Sequence, residues 1–307
     1  MTWLWIFFAG CGARSGLLFG DAGSDGPFDA SPGEDAAPPC PACDDHLYCN
    51  GPEQCVGDTC ATGPAPCDDG ISCTVDSCLE EGDACAHEAD DSLCPLSHGC
   101  DPRRGCVGHA LAHDSVQLYE VWLPSGEVEP IGETGYGLLD VALDPNGDLW
   151  GVSWDAFVRV DEGTGRATYV GTTVTGLNAL DAAEDGTLYA AGDALYRIDP
   201  STGAATFVAR YPDGRSSSGD LAFFEGRFLA TATTFSESDD LIDIDLASGS
   251  AITIGSIGYP CVWGLAAFGS TLYGLTCDGT VLSIDPATGA ATEVSHSTVG
   301  FYGATAR

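Results

Sequence analysis

Two aspartates, an asparagine and two aromatic residues stand near the start of five short apolar stretches: Asp140, Asn178, Asp220, Trp263 and Tyr302. The stretches are Leu138-Leu-Asp-Val-Ala-Leu143, Leu177-Asn-Ala-Leu180, Asp220-Leu-Ala-Phe-Phe224, Trp263-Gly-Leu-Ala-Ala-Phe268 and Phe301-Tyr-Gly-Ala-Thr305. Carboxylates that face one another across a sugar ring can serve as general acid and base, and aromatic faces stack on sugars. The same set of residues can equally form a pocket that binds without reacting, or line a wet passage. Binding or structure is the expected role, with a secreted carbohydrate-active hydrolase as the alternative.

Other chemistries lack their residues. There is no G-x-S-x-G elbow, no H-E-x-x-H and no phosphate-cradling loop, and the chain has no lysine. His109, His113 and His296 are the only histidines of the repeated region, and none sits in a diagnostic motif. No catalytic residue is assigned, no cofactor is called for and no metal site is expected. The pairs Asp44-Asp45 and Asp68-Asp69 lack the alternating acidic ladder closed by a glutamate that a calcium loop needs, so they read as solvated turns.

The elements that must bring the five stretches together are repeats. Segments beginning at Leu118, Phe157, Leu195, Leu241 and Val281 align without gaps and share glycine at the ninth place: Gly126, Gly165, Gly203, Gly249 and Gly289. Ser or Thr precedes each glycine, and Asp161, Asp199, Asp245 and Asp285 occupy the fifth place. Each repeat opens with the apolar–polar alternation of a half-buried strand, as in Leu195-Tyr-Arg-Ile198, and then turns through Asp-Pro-Ser-Thr-Gly or a relative of it. Aspartate at the start of a turn accepts hydrogen bonds from its own backbone, so this series reads as structural rather than metal-binding. Between the repeated hairpins lies another strand pair, which makes four strands per unit and predicts blades over 137–171, 176–209, 218–255 and 262–295. A fifth blade is expected from both ends of the region, with 301–305 as its innermost strand and 109–132 supplying the outer three. The fold class is therefore all-β: a five-bladed β-propeller over 109–307, preceded by a small disulfide-rich, loop-dominated domain over 40–108.

Of fifteen cysteines, one is Cys11, twelve lie between Cys40 and Cys106, and two are Cys261 and Cys277. Such density in a short, core-poor segment predicts disulfides and an oxidising compartment. Cys261 and Cys277 flank adjacent strands at nearly opposite registers and are expected to bridge. Residues 1–20 read as a signal peptide, and 21–39 as an acidic, Pro/Gly-rich disordered linker. The balance of 46 acidic residues against 10 basic, all arginine, excludes nucleic acid as a partner, because phosphate binding needs a positive footprint.

Two stretches resemble known families. Phe8-Ala-Gly-Cys11 resembles a bacterial lipobox, which implies diacylation of Cys11 and a membrane association made only through that anchor. Cys67-Asp-Asp-Gly-Ile-Ser-Cys73-Thr-Val-Asp-Ser-Cys78, continuing through His87, resembles the CTDC-type repeat of slime-mould extracellular-matrix proteins, also met in surface proteins of gliding bacteria. Together they resemble a myxobacterial-type surface lipoprotein. The resemblance implies an extracellular structural module in the cell envelope, lipid-anchored or secreted, whose partner is an extracellular ligand, glycan or protein.

Overall fold

The computed structural model describes Cys43, residues 45–56, 59–233 and 238–307. The expected signal peptide over 1–20, Cys11, the expected linker over 21–39, Cys40 and Asp44 lie outside the described residues. A hairpin of β1 (Gln54–Val56) and β2 (Thr59–Ala61), tied by the Cys43–Cys60 disulfide, forms a small unit by itself. Residues 45–53 and 62–307 form the other unit.

The larger unit opens with the hairpin β3 (Thr74–Leu79) and β4 (Ala84–Ala89), then the short β5 (Gly99–Asp101). Disulfides Cys49–Cys78, Cys67–Cys85, Cys73–Cys100 and Cys94–Cys106 staple this stretch, which has few large apolar side chains to bury. Cys55 is disulfide-bonded as well. β5 pairs with β6 (Gly105–His113), a strand that begins among the cysteines and ends inside the propeller. Two further contacts fix the cysteine-rich stretch to the blades. The Arg104 guanidinium lies 4.3 Å over the Trp122 ring, and buried His98 packs against Phe268 and Tyr273.

Five blades follow. β7 (Gln117–Leu123) and β8 (Glu127–Glu133) extend the sheet from β6. Blade one is β9 (Asp140–Leu143), β10 (Leu149–Val152), β11 (Ala156–Val160) and β12 (Ala167–Thr172). Blade two is β13 (Ala179–Ala182), β14 (Leu188–Ala191), β15 (Ala194–Ile198) and β16 (Ala205–Arg210). Blade three is β17 (Ser216–Phe224), β18 (Arg227–Thr233), β19 (Asp240–Asp245) and β20 (Ser250–Ser256). Blade four is β21 (Val262–Phe268), β22 (Thr271–Thr276), β23 (Thr280–Ile284) and β24 (Ala291–His296). The last strand, β25 (Gly303–Ala306), returns to pair antiparallel with β6, so the fifth blade reads β25-β6-β7-β8. Closure by the two ends of the region removes the exposed edge an open ring would leave.

Each seam between neighbouring blades carries its own apolar cluster. Phe157 and Leu188 meet between blades one and two, Leu195 and Phe228 between two and three, and Leu229 and Leu272 between three and four. Phe268 and Phe301 lie between blades four and five, and Leu118 and Leu149 between five and one. No blade covers both its faces alone, which is why the repeat must run in a ring.

The repeated turns behave as their residues require. Asp161 Oδ1 accepts from the Thr164 amide and hydroxyl at 2.9 and 2.7 Å, and Asp199, Asp245 and Asp285 cap their own turns in the same manner. The glycine that ends the turn has a second reason to be glycine. Gly165 has φ 74° and lies against Gly132 of the preceding blade so closely that a Cβ would collide with that residue's carbonyl, and Gly289 stands in the same relation to Gly255.

Candidate functional site

The five innermost strands surround a channel. At one mouth stand Leu139, Asn178, Gly219, Trp263 and Tyr302, one from each blade, and with Ser218 they enclose a pocket of about 190 Å³. The Trp263 and Tyr302 ring centroids are 4.9 Å apart with the planes tilted by 59°, an edge-leaning contact that leaves both rings partly open. Asn178 Nδ2 donates to the Ser217 carbonyl at 3.4 Å, while Asn178 Oδ1 has no protein partner.

Bulges aim these residues. In β21 the pairing steps from Val262↔Thr276 to Gly264↔Leu275, which leaves Trp263 as the extra residue turned out of the ladder. β17 is irregular at the same level, between Ser217 and Leu221. Gly219 seats the indole, since a Cβ there would stand 2.7 Å from Trp263 Cδ1 and 2.8 Å from its Cβ.

Asp140 and Asp220 are not on this pocket. The expectation put them at one level with Asn178, Trp263 and Tyr302, but they sit one residue deeper, at the level of Gly264 and Gly303, and both are fully buried. The reason is a one-residue offset: in ladders without a bulge Asp140 pairs with Val152 and Ala179 with Ala191, which sets Leu139 rather than Asp140 level with Asn178, while Asp220 lies within the irregular stretch of β17. Their oxygens are occupied by backbone. Asp140 accepts from the Val141 amide at 2.8 Å and, across the seam, from the Leu180 amide at 2.5 Å. Asp220 accepts from Leu221 at 2.6 Å and, across seams, from Leu265 at 2.5 Å and Ala304 at 3.3 Å.

Two residues that sequence reasoning missed extend such clasps to four of the five seams. Asp181 Oδ2 takes the Phe223 amide at 2.6 Å, and Thr305 Oγ1 takes the Leu143 amide at 3.1 Å, so side chains of β9, β13, β17 and β25 each hold a neighbouring blade. The usable signal was a polar residue two to three places into an otherwise apolar inner strand, as in Leu180-Asp181-Ala182.

The electrostatics follow from burial. Burial, then the charge of Asp220 and a hydrogen bond to it, push the Asp140 carboxyl well above the usual carboxylate range. Burial also raises Asp220, with the hydrogen bond from Asp140 opposing it and the charge of Asp181 adding to it. Asp181 keeps part of its surface at the opposite mouth, a basin of about 310 Å³, and burial of the rest pushes it up to about 7. His113 on β6, fully buried, accepts the Ser115 amide on Nδ1 at 3.1 Å, which leaves its ring proton on Nε2, and that atom has no partner. Burial pushes this imidazole down to about 4.

Cys261 and Cys277 are joined in a disulfide that straps the base of blade four's mouth loop two residues before Trp263. A hollow of about 590 Å³ is an open groove along the Asp161 turn on blade one, and a groove of about 480 Å³ repeats it at the Asp199 turn. Recurrence at equivalent turns marks these grooves as a property of the repeat, so the channel mouth remains the place where unlike residues converge.

No known family matches the chain, and no curated protein matches it. Among solved structures it is similar to a gluconolactonase from Xanthomonas campestris, with 14% identity over 61% of this chain and 71% of that one and a TM-score of 0.43. It is also similar to TolB from Acinetobacter baumannii, with 14% identity over 65% and 66% of the two chains and a TM-score of 0.41. A symmetrical protein studied for its de novo evolutionary emergence shares 18% identity over 64% of this chain and 97% of that one, with a TM-score of 0.45. The five-bladed description rests on the strand ladders themselves.

Proposed function

We propose that this chain is a non-catalytic binding protein of the cell envelope, lipid-anchored or secreted, whose propeller holds a neutral end group of an extracellular glycan in the channel mouth. One observation carries the reading: Asn178, Trp263 and Tyr302 converge from three blades on one opening, while both carboxylates that hydrolysis would need are buried and bound to backbone amides. Two aromatic faces with an amide between them suit a sugar ring, and no charged side chain lines the pocket. At about 190 Å³ it is smaller than the roughly 300–1,000 Å³ of sites for drug-sized ligands, which favours a single ring or chain end.

The anchor and the extracellular setting rest on the lipobox-like Phe8–Cys11, the acidic linker and the disulfide staples. Mass spectrometry of the mature N-terminus tests the anchor: diacylglycerol on Cys11 supports it, and a soluble product without Cys11 removes it. A glycan array probed with the full chain tests the site. Trp263→Ala and Tyr302→Ala should each lower binding of any hit by roughly fivefold or more, as the loss of a stacked ring does, by about 1–3 kcal/mol. Reducing-sugar release from a polysaccharide panel, abolished by Asp140→Asn in a folded protein, would favour the hydrolase instead.

A further inference from the structure

Asp140 and Asp220 are the two acidic side chains the binding reading leaves unused, and their contacts connect them to the pocket. The Leu180 amide held by Asp140 lies two residues past Asn178 on β13. The Leu265 amide held by Asp220 lies two residues past Trp263 on β21, and the Ala304 amide it also holds lies two past Tyr302 on β25. Each strand that carries a polar or aromatic pocket residue is thus fastened, one layer below the mouth, to one of these carboxyls. Glycine makes room for the arrangement, because a Cβ on Gly303 would collide with Asp140 Oδ1 and stand 2.6 Å from His113 Nε2.

Resting on the binding reading, we infer that Asp140 and Asp220 act as one proton-sharing pair of positioning residues that sets the spacing of Asn178, Trp263 and Tyr302, so that the pocket keeps its shape only while the shared proton is present. Two carboxylates in a fully buried layer without a cation between them repel strongly, and one proton relieves this. Among the described ion pairs, no arginine reaches either group. Asp140 and Asp220 face each other in that layer, and one proton held between them serves both carboxyls. The groups facing the pair from other elements are Asp181 on β13, whose charge opposes ionisation of Asp220, His113 on β6, neutral and aimed at the same layer, and the buried Tyr211. β21 and β25 present glycine there, Gly264 and Gly303.

Loss of the proton on raising the pH leaves two negative charges in that layer, and the strands under Trp263 and Tyr302 must separate. The test uses the full chain labelled with 5-fluorotryptophan and no ligand, with the Trp263 ¹⁹F line assigned by Trp263→Phe. The line is expected to move in a single transition as pH rises above the usual carboxylate range, and to lose that transition in Asp140→Asn, which carries no charge at any pH. A Trp263 line that stays flat in the parent protein, or one that titrates unchanged in Asp140→Asn, overturns the inference. If the variant does not fold, the ¹³Cγ aspartate resonances of the parent protein decide. Two coupled steps, one of them well above the usual carboxylate range, support the pair, and two ordinary acidic titrations refute it. Both readouts are independent of any glycan, so an empty glycan array removes the binding reading while leaving this result standing, and a hit with a flat Trp263 line does the reverse.

Discussion

Gly219 packs against Trp263, with room for hydrogen and for nothing larger: an added Cβ would collide with the Trp263 Cα and stand 2.7 Å from its Cδ1. Gly219→Ala is therefore expected to push the ring off its seat rather than to stiffen the strand. Overpacking of this kind costs roughly 1–3 kcal/mol. The melting temperature should fall, and the Trp263 fluorescence and any glycan affinity should change together. An alanine variant that melts and binds like the parent would show that the indole is not held there.

The acid limb of stability should carry the signature of His113. Its folded value, about 4, lies below the ordinary 6.5, so its contribution is present above 6.5 and is lost as pH falls toward 4. For a fully buried ring the span amounts to about 3 kcal/mol. Asp140, Asp181 and Asp220 work in the opposite sense, since raised carboxyls stabilise at low pH and lose that contribution as pH rises. The clean measurement is the difference between parent and His113→Leu in urea titrations at several pH values. The difference should shrink as pH falls from 6.5 to 4.5, and a constant difference contradicts the assignment.

Much of the architecture was legible because it is written in repeats. The Asp-to-Gly turns recur at fixed spacing, and each calls for the same hairpin, so blade number and even closure by Phe301–Thr305 follow from counting. Asn178, Trp263 and Tyr302 were legible as polar or aromatic interruptions ahead of inner strands. The depth of Asp140 and Asp220 was not, because Asp140 opens an unbulged strand one residue out of step with Asn178, and the irregular stretch of β17 leaves the apolar pattern around Asp220 almost unchanged. Clasps such as Asp181 to the Phe223 amide join separate repeats, and no local pattern encodes which backbone donor a buried carboxylate will meet.

The Cys261–Cys277 bridge closes a loop of 16 residues at the pocket rim, and Cys277 also donates its amide to the Cys261 carbonyl at 3.1 Å. Chain-entropy reasoning assigns such a loop about 3 kcal/mol. The double variant Cys261→Ser/Cys277→Ser should lower the melting temperature by roughly 6–12 °C. It should also weaken ligand binding more than a distant destabilising change of equal size, because Trp263 follows the strap by two residues. Equal binding loss from a control of matched stability, such as Ile244→Ala in the core, would leave the bridge a purely global role.

Ring closure joins the blade count to the pocket. β25 pairs residue by residue with β6, from Gly303↔His113 to Ala306↔Ala110. It also supplies the Thr305 hydroxyl that holds the Leu143 amide of blade one, the Ala304 amide that Asp220 holds, and Tyr302 at the mouth. Deleting residues 300–307 removes all four connections in one step, uncovers the edge of β6, and strips Phe301 from the seam between blades four and five. The truncated protein should unfold over a broader denaturant range with a smaller m-value, aggregate on warming and lose the pocket. A dispensable tail predicts the opposite: an unchanged transition and an unchanged Trp263 environment. Supplying the missing strand as a synthetic peptide spanning 300–307 separates edge exposure from general damage. Restored cooperativity with the peptide is the outcome closure requires, and a truncated chain that melts like the intact one would show that the ring does not depend on its last strand.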